Sequence, residues 1–207
     1  ADLYHTFGKV QTNLLVEGFY TILDDVFALR DMDDAADGGK VKERYNGSGA
    51  TVRGFNVEGR AAFTRWFELQ AGVTLQQSRY KEPEFWSEDA EVPPVRRMFR
   101  TPDAYGYFTA SFKPVRNFTA DLSGTCTGSM LVQHMAGSGV AQDVAVSTPS
   151  FFDMNIRLSY DVRIYKEITM QLYGGVQNLF NAYQKDFDKG VDRDSGYIYG
   201  PSLPRSW

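Results

Sequence analysis

"FFDMNIRLSYDVRIY", Phe151 to Tyr165, carries an alternation that only an extended chain can use. Its even positions are Phe152, Met154, Ile156, Leu158, Tyr160, Val162 and Ile164, and its odd positions from 153 to 163 are Asp153, Asn155, Arg157, Ser159, Asp161 and Arg163. Successive side chains of a strand point to opposite faces, so a period of two makes one apolar face and one polar face. Wound as a helix, the same residues would spread apolar groups around the whole cylinder. After a short break at Tyr165–Glu167, "ITMQLYGGVQN" repeats the pattern. Ile168, Met170, Leu172, Gly174 and Val176 face one way; Thr169, Gln171, Tyr173, Gly175 and Gln177 face the other. The two segments read as a tight antiparallel hairpin.

The same grammar runs back along the chain. "FTADLSGTCTGSM" sets Phe118, Ala120, Leu122, Gly124, Cys126 and Met130 against Thr119, Asp121, Ser123, Thr125, Thr127 and Ser129. "AYGYFTASF" precedes it through the turn "KPVRN". "FELQAGVTLQQS" alternates Phe67, Leu69, Ala71, Val73 and Leu75 with Glu68, Gln70, Gly72, Thr74 and Gln76, and "GFNVEGRAAF" sets Phe55, Val57, Ala61 and Phe63 against Asn56, Glu58 and Arg60. "VQTNLLVEGFYTIL" is noisier, because Leu15 and Phe19 fall on its mostly polar side. Seven long strands result. Three connections are short (Thr64–Trp66, Lys113–Asn117, Tyr165–Glu167), and the others, Arg30–Gly49, Arg79–Pro102, Leu131–Ser150 and the tail from Ala182, are long. Short and long alternate, so the short turns lie at one end of the sheet and the long loops at the other.

Composition narrows the class. The 207 residues suit one domain of ordinary size, and 14% aromatics with 19 glycines favour strands and turns. The formal charge of -4 is of mixed sign without a basic stripe, which argues against a nucleic-acid partner. A lone Cys126 excludes a disulfide framework, and with only His5 and His134 a histidine-based catalytic zinc site is disfavoured. No nucleophile–base pair or Gly-rich phosphate loop is present, so the chain reads as no enzyme and implies no cofactor. No apolar run reaches the roughly 20 residues of a membrane helix, but membrane barrels give a weaker, strand-by-strand signal.

Alternation alone also fits a soluble sandwich or small barrel with its apolar face inside. Three features favour a membrane. The strands are long compared with the roughly 5–6 residues usual in soluble sheets, and match the roughly 9–11 of a transmembrane strand. Tyr105, Tyr107, Trp66, Tyr165, Phe180 and Tyr183 cluster near strand ends, as an interfacial girdle would. The turn–loop asymmetry is that of outer-membrane barrels. Hydrocarbon offers backbone amides no partner, so only a closed ladder survives there. Asp153, Arg157, Asp161, Arg163, Glu58 and Arg60 on the polar face call for a wide interior, wet or filled by another domain.

The C-terminal stretch carries a family resemblance. "GGVQNLFNAYQKDFD" followed by "RDSGYIYGPSLPRSW" resembles the end of a TonB-dependent outer-membrane receptor. Asn178, Leu179, Phe180 and Asn181 match the family's N-L-F-[ND] motif, and Gly200, Pro201, Pro204 and Arg205 match the approach to its last strand. "VRGFNVEGRAAFTRWFELQAGVTLQQSRY" is similar to the family's strand–turn–strand unit, and "KDFDKG…RDSGYIYGP" to receptors of the Bacteroides group. The resemblance implies an all-β chain: residues 1–207 as the C-terminal portion of a 22-stranded antiparallel transmembrane β-barrel, without plug domain or final strand. It implies location in a Gram-negative outer membrane and uptake of a scarce nutrient such as a ferric siderophore, haem or cobalamin. The implied partners are membrane lipid, the receptor's own plug, TonB through an N-terminal region, and a small-molecule nutrient or metal chelate. A passive porin-like or structural barrel, and a soluble β-sandwich binding module, are the alternative readings.

Two loop regions are candidate sites. Tyr80, Phe85, Trp86, Arg96, Arg97 and Arg100 combine aromatic faces with guanidinium groups, which suits an anionic chelate or planar ligand. The bland reading is that Phe85 and Trp86 pack the loop while the arginines meet Glu82, Glu84, Glu88 and lipid phosphates. Asp186, Asp188, Asp192 and Asp194 with Gly190 and Gly196 evoke a calcium loop. The EF-hand order fails there, with Gly190 at position 5 and Tyr197 at position 12, and fails in "DMDDAADGG" at 31–39, where Ala36 takes position 6. A solvated acidic loop and an irregular calcium site remain as the two readings of the aspartates.

Overall fold

The computed structural model describes residues 1–31, 42–201 and 203–207, and all its regular elements are strands. The stretch "DMDDAADGG" lies, after Asp31, outside the described residues. In chain order the strands are β1 (Asp2–Phe7), β2 (Val10–Leu23), β3 (Phe27–Asp31), β4 (Lys42–Asn46), β5 (Ala50–Thr64), β6 (Phe67–Glu84), β7 (Val95–Arg97), β8 (Ala104–Val115), β9 (Phe118–Thr127), β10 (Leu131–His134), β11 (Val144–Ser147), β12 (Phe151–Tyr165) and β13 (Ile168–Val176). One antiparallel sheet runs in the order β1-β2-β5-β6-β8-β9-β12-β13, with β7 beside the end of β6. The hairpins β3–β4 and β10–β11 stand apart from it.

All seven expected long strands are present, and an eighth joins them. β1 pairs with β2 through the turn at Gly8 and Lys9, where Gly8 has φ of 63°. Its alternation, Leu3, His5 and Phe7 against Asp2, Tyr4 and Thr6, is too brief for periodicity to separate from chance. Two further differences concern the connections. β6 continues to Glu84, so Tyr80 stands on a strand rather than in the loop that follows. The long connections are not wholly irregular, since two of them fold back as β3–β4 and β10–β11.

The register shows what the alternation is for. Directly paired residues share a face, and pairing carries one row across seven strands: Leu3, Leu14, Gly59, Ala71, Phe108, Gly124 and Met154. A second row is Val16, Val57, Val73, Gly106, Cys126 and Phe152; a third is Ala61, Leu69, Ala110, Leu122, Ile156 and Val176. Between them lie rows of the other face, such as Leu15, Glu58, Gly72, Tyr107, Thr125 and Asp153. A slip of one residue in any pair would send a whole strand's apolar set to the wrong side. Large side chains also cover facing glycines: a Cβ on Gly124 would meet Phe108 at 2.3 Å, and one on Gly72 would meet Tyr107 at 2.6 Å.

Burial is inverted relative to a soluble domain. Phe55, Leu75, Leu158, Ile168 and Leu172 are 65%, 56%, 44%, 60% and 53% exposed. Among the described residues the buried hydrophobic side chains are Ala50, Val132 and Tyr197, all at or beyond the strand ends on the long-loop side. A sheet of this size normally hides one face under a second layer. Here the apolar face is bare along its length and the compact packing sits among the loops.

Candidate functional site

The loop end is laced together by polar contacts from every long connection. Tyr45 Oη donates to Glu84 Oε1 at 2.9 Å, and Glu82 N donates to Ser48 Oγ at 3.2 Å, tying the first loop to β6. In the second, Ser87 Oγ donates to Asp143 Oδ2 at 2.7 Å, and Arg100 N donates to Leu131 O at 2.7 Å, joining it to the β10–β11 hairpin. Glu82 and Glu84 stand on the end of β6, Tyr45 on β4 and Leu131 on β10, while Ser48, Ser87, Arg100 and Asp143 are loop residues.

A cleft of about 300 Å³ opens between these loops. Tyr80, Phe85, Trp86 and Phe99 line it with Phe27 and Gln133, and Glu84 is its carboxylate. Trp86 packs edge-on against Phe99 with centroids 5.4 Å apart, and its Nε1–H is buried with no acceptor. Phe85 is 74% exposed. The three arginines expected beside these aromatics are committed elsewhere. Arg96 donates to Lys81 O at 3.1 Å and lies 3.8 Å from Glu82. Arg97 bridges Ser129 O at 2.7 Å and Asp103 Oδ2 at 3.1 Å. Arg100, at φ of 56°, donates to Ile198 O at 2.7 Å and to Gly196 O. Guanidinium forks here staple loop carbonyls, and the cleft itself is aromatic with one acid.

The aspartate run is the other half of the loop end, and the carboxylates of Asp186, Asp188 and Asp194 are hydrogen-bonded. His134, buried on β10, places Nε2 at 3.0 and 2.9 Å from the two oxygens of Asp188, with the side chains 8% and 4% exposed. The His134 ring stacks on Tyr197 at 3.7 Å with planes 8° apart. Asp186 accepts from Tyr197 Oη at 3.0 Å and Tyr199 Oη at 2.5 Å. Asp194 accepts from Met135 N and Gly196 N at 2.9 and 2.8 Å. Gly137 and Gly139 admit this contact, because a Cβ on the first would meet Asp192 O at 2.3 Å and one on the second Asp188 Oδ1 at 2.0 Å. Asp188 and Asp194 therefore join the β10–β11 hairpin to the C-terminal loop, while Asp186 and Asp192 keep exposed positions in the run.

The electrostatics follow from those contacts. The hydrogen bond with His134 holds the Asp188 carboxyl below its usual range, against a smaller opposing effect of burial. Burial raises Asp186, but hydrogen bonds from Tyr199 and Tyr197 outweigh it and the net direction is down. Burial and the Asp186 charge push the Tyr197 phenol up to about 12, and raise Tyr199 for the same reasons. His134 is the residue sequence reasoning missed, having counted it only against zinc. A lone histidine in an apolar-polar run, "LVQH", gives no local sign of a partner 54 positions away.

The C-terminal motif also acquires a physical role. Asn178 and Asn181 have φ of 50° and 55°, a left-handed backbone that asparagine tolerates better than most residues. Asn178 Nδ2 donates to Ala182 O and Leu203 O at 3.1 and 3.0 Å, while its Oδ1 accepts from Ala182 N at 2.8 Å. Asn181 Oδ1 accepts from Arg205 N at 2.9 Å. Buried Gln184 joins Tyr197 O at 3.0 Å to Tyr199 N at 2.9 Å. Amides at 178, 181 and 184 thus fold the tail back until Gln177 and Ser206 form a β-bridge beside β13.

Comparison with solved structures fits this arrangement. The ferric-catecholate import receptor Fiu from E. coli K12 matches over 95% of this chain and 24% of its own, with TM-score 0.59 and 18% identity. The ferric enterobactin receptor PfeA from Pseudomonas aeruginosa matches over 98% and 28%, with TM-score 0.61 and 15% identity. The outer-membrane transporter YddB from Escherichia coli matches over 99% and 30%, with TM-score 0.60 and 14% identity. The fold is that of a TonB-dependent outer-membrane barrel. This chain spans under a third of the length of those proteins. No protein-family model matches the sequence, and no curated protein matches it.

Proposed function

We propose that residues 1–207 are the C-terminal portion of the barrel wall of a TonB-dependent receptor in a Gram-negative outer membrane, importing a scarce nutrient. The single observation that carries the reading is the register, which carries paired apolar rows across the sheet on one face and gathers the long loops at one end. Charges on the opposite face, including Asp153 with a buried and unpartnered Oδ1, would meet the receptor's own plug domain. TonB would act from the far side through an N-terminal region. No enzymatic step is proposed.

Nutrient contact is assigned to Tyr80, Phe85 and Trp86, whose cleft offers aromatic faces beside one carboxylate. Arg96, Arg97 and Arg100 hold the loops that shape it. The substrate class is a bulky planar or chelated nutrient: a ferric siderophore, haem or cobalamin. The test is uptake of each of these, radiolabelled, by cells carrying the full-length protein, with and without proton motive force. Saturable, energy-dependent uptake of one of them is expected. Trp86→Ala should weaken apparent affinity roughly tenfold, the scale of one lost aromatic contact. Energy-independent leakage of small solutes would instead mark a porin-like barrel and overturn the proposal.

A further inference from the structure

The cleft at the loop end carries a charge opposite to the one its neighbouring arginines would give it. Glu84 is its carboxylate. Tyr45 Oη donates to Glu84 Oε1 at 2.9 Å, which fixes the carboxylate, and Oε2 takes no partner among the described residues. Among the same residues no cation pairs with Glu84. Lys81 is held by Asp24, Arg96 by Glu82 and Arg97 by Asp103. Arg79, next to Tyr80 in β6, points to the other face of the strand. Arg44 stands at the rim, 5.9 Å over the Phe27 ring.

Around this carboxylate the walls are aromatic. Tyr80, Phe85, Trp86, Phe99 and Phe27 line the space, and Trp86 meets Phe99 edge-on with centroids 5.4 Å apart. An ammonium group is drawn to ring faces by their negative quadrupole and to a carboxylate by its charge. An anion placed here would meet the Glu84 charge in a half-buried setting, with no guanidinium to offset it. The cleft's volume of about 300 Å³ is at the small end for a ligand pocket. It suits one arm of a bulky nutrient, with the rest lying outside.

We propose that the cleft selects a nutrient with a cationic ammonium arm, which enters between Tyr80, Trp86 and Phe99 and ends on Glu84. The proposal deepens the receptor reading given above and rests on it. Among ferric chelates the class is a hydroxamate with a free terminal amine; catecholate trianions and the carboxylates of haem are disfavoured. Its test uses the full-length protein purified in detergent, with binding read by titration calorimetry. The probes are a linear ferric trihydroxamate bearing a free terminal amine, and the same chelate acetylated on that amine. They differ by one charge. The amine form should bind roughly tenfold tighter, the scale of one charge-assisted contact. Glu84→Gln, which keeps an acceptor for Tyr45, should abolish the difference by weakening the amine form alone. Glu82→Gln, which removes a neighbouring charge outside the cleft, should leave the difference intact. Equal affinity of the two forms, or a difference that survives Glu84→Gln, would overturn the ammonium site. So would tighter binding of a ferric triscatecholate, or failure of the amine form to bind. Energy-independent leakage in the uptake assay above would instead overturn the receptor reading beneath it.

Discussion

The strand bed and the loop end of this chain obey opposite rules. On the bed, Phe55, Leu158 and Leu172 lie exposed, and what holds the sheet is its ladder of backbone hydrogen bonds and exact pairing of rows. At the loop end the packing is that of an ordinary domain interior, with Val132, Tyr197, His134, Asn178 and Gln184 buried and their polar atoms matched. The bed is built for a solvent that is itself apolar, where burying Leu158 inside protein would gain little. The loop end is built for water, where a buried carboxylate survives only with a partner. In the membrane reading proposed above, one chain thus meets two solvents.

The sharpest way to break this contrast is to put a charge on the bed. Leu158→Arg should cost about 2–4 kcal/mol of insertion stability if it sits near the bilayer midplane, whereas Arg157→Leu should be tolerated. Refolding of the full-length barrel into lipid vesicles, followed by gel shift, measures both. Equal penalties would show that the two faces are wrongly assigned.

At the loop end the largest effect is expected at Asn178. Asn178→Ala loses three side-chain hydrogen bonds and forces a Cβ-bearing residue without local compensation into a left-handed backbone. A local loss of about 2–4 kcal/mol follows from adding those costs. Hydrogen exchange across residues 177–206 should accelerate accordingly, and Asn178→Gly should recover the backbone part alone. Exchange unchanged in both variants would mean the tail is held by something other than these amides.

His134→Ala should act more locally, freeing the β10–β11 hairpin from the C-terminal loop and raising protease cleavage within 135–143 roughly tenfold, the equivalent of one lost charge-assisted bond. The bed should not notice. The same junction should respond to pH in a fixed direction. Because the Asp188 and Asp186 carboxyls are held below their usual range, their contribution is present above the ordinary carboxylate pKa and is lost as pH falls through the lowered values. Tyr197 works in reverse: its contribution is present below the ordinary phenol pKa and is lost as pH rises through about 12. The groups facing one another there are His134, Asp188, Asp186, Asp194, Tyr197 and Tyr199. Hairpin cleavage measured against pH should therefore rise in acid and in strong alkali. A flat profile would separate the junction from these carboxylates.

The strands were legible from residues alone because alternation is a local code. Each of Ile156, Leu158 and Tyr160 reports its face by its own position, and pairing merely aligns what is already written. The noise in β2 persists in the fold, where Leu15 shares the polar face with Glu58 and Phe19 pairs with Gly54. The site was only half legible. Aromatics at 80, 85 and 86 do share a cleft, because they sit within one strand end and its continuation. Their arginine neighbours went elsewhere, since a guanidinium on a long stem takes whatever carbonyls the tertiary fold presents, such as those of Gly196 and Ile198.

By itself, then, the sequence determined the seven long strands, their faces and the ends at which loops and turns gather. Those properties depend on neighbours one or two positions away. Tertiary structure alone decided that His134 meets Asp188 and that three asparagine and glutamine amides fold the tail back. Each of these joins groups far apart in the chain, and a hydrogen bond exists only once both positions in space are fixed.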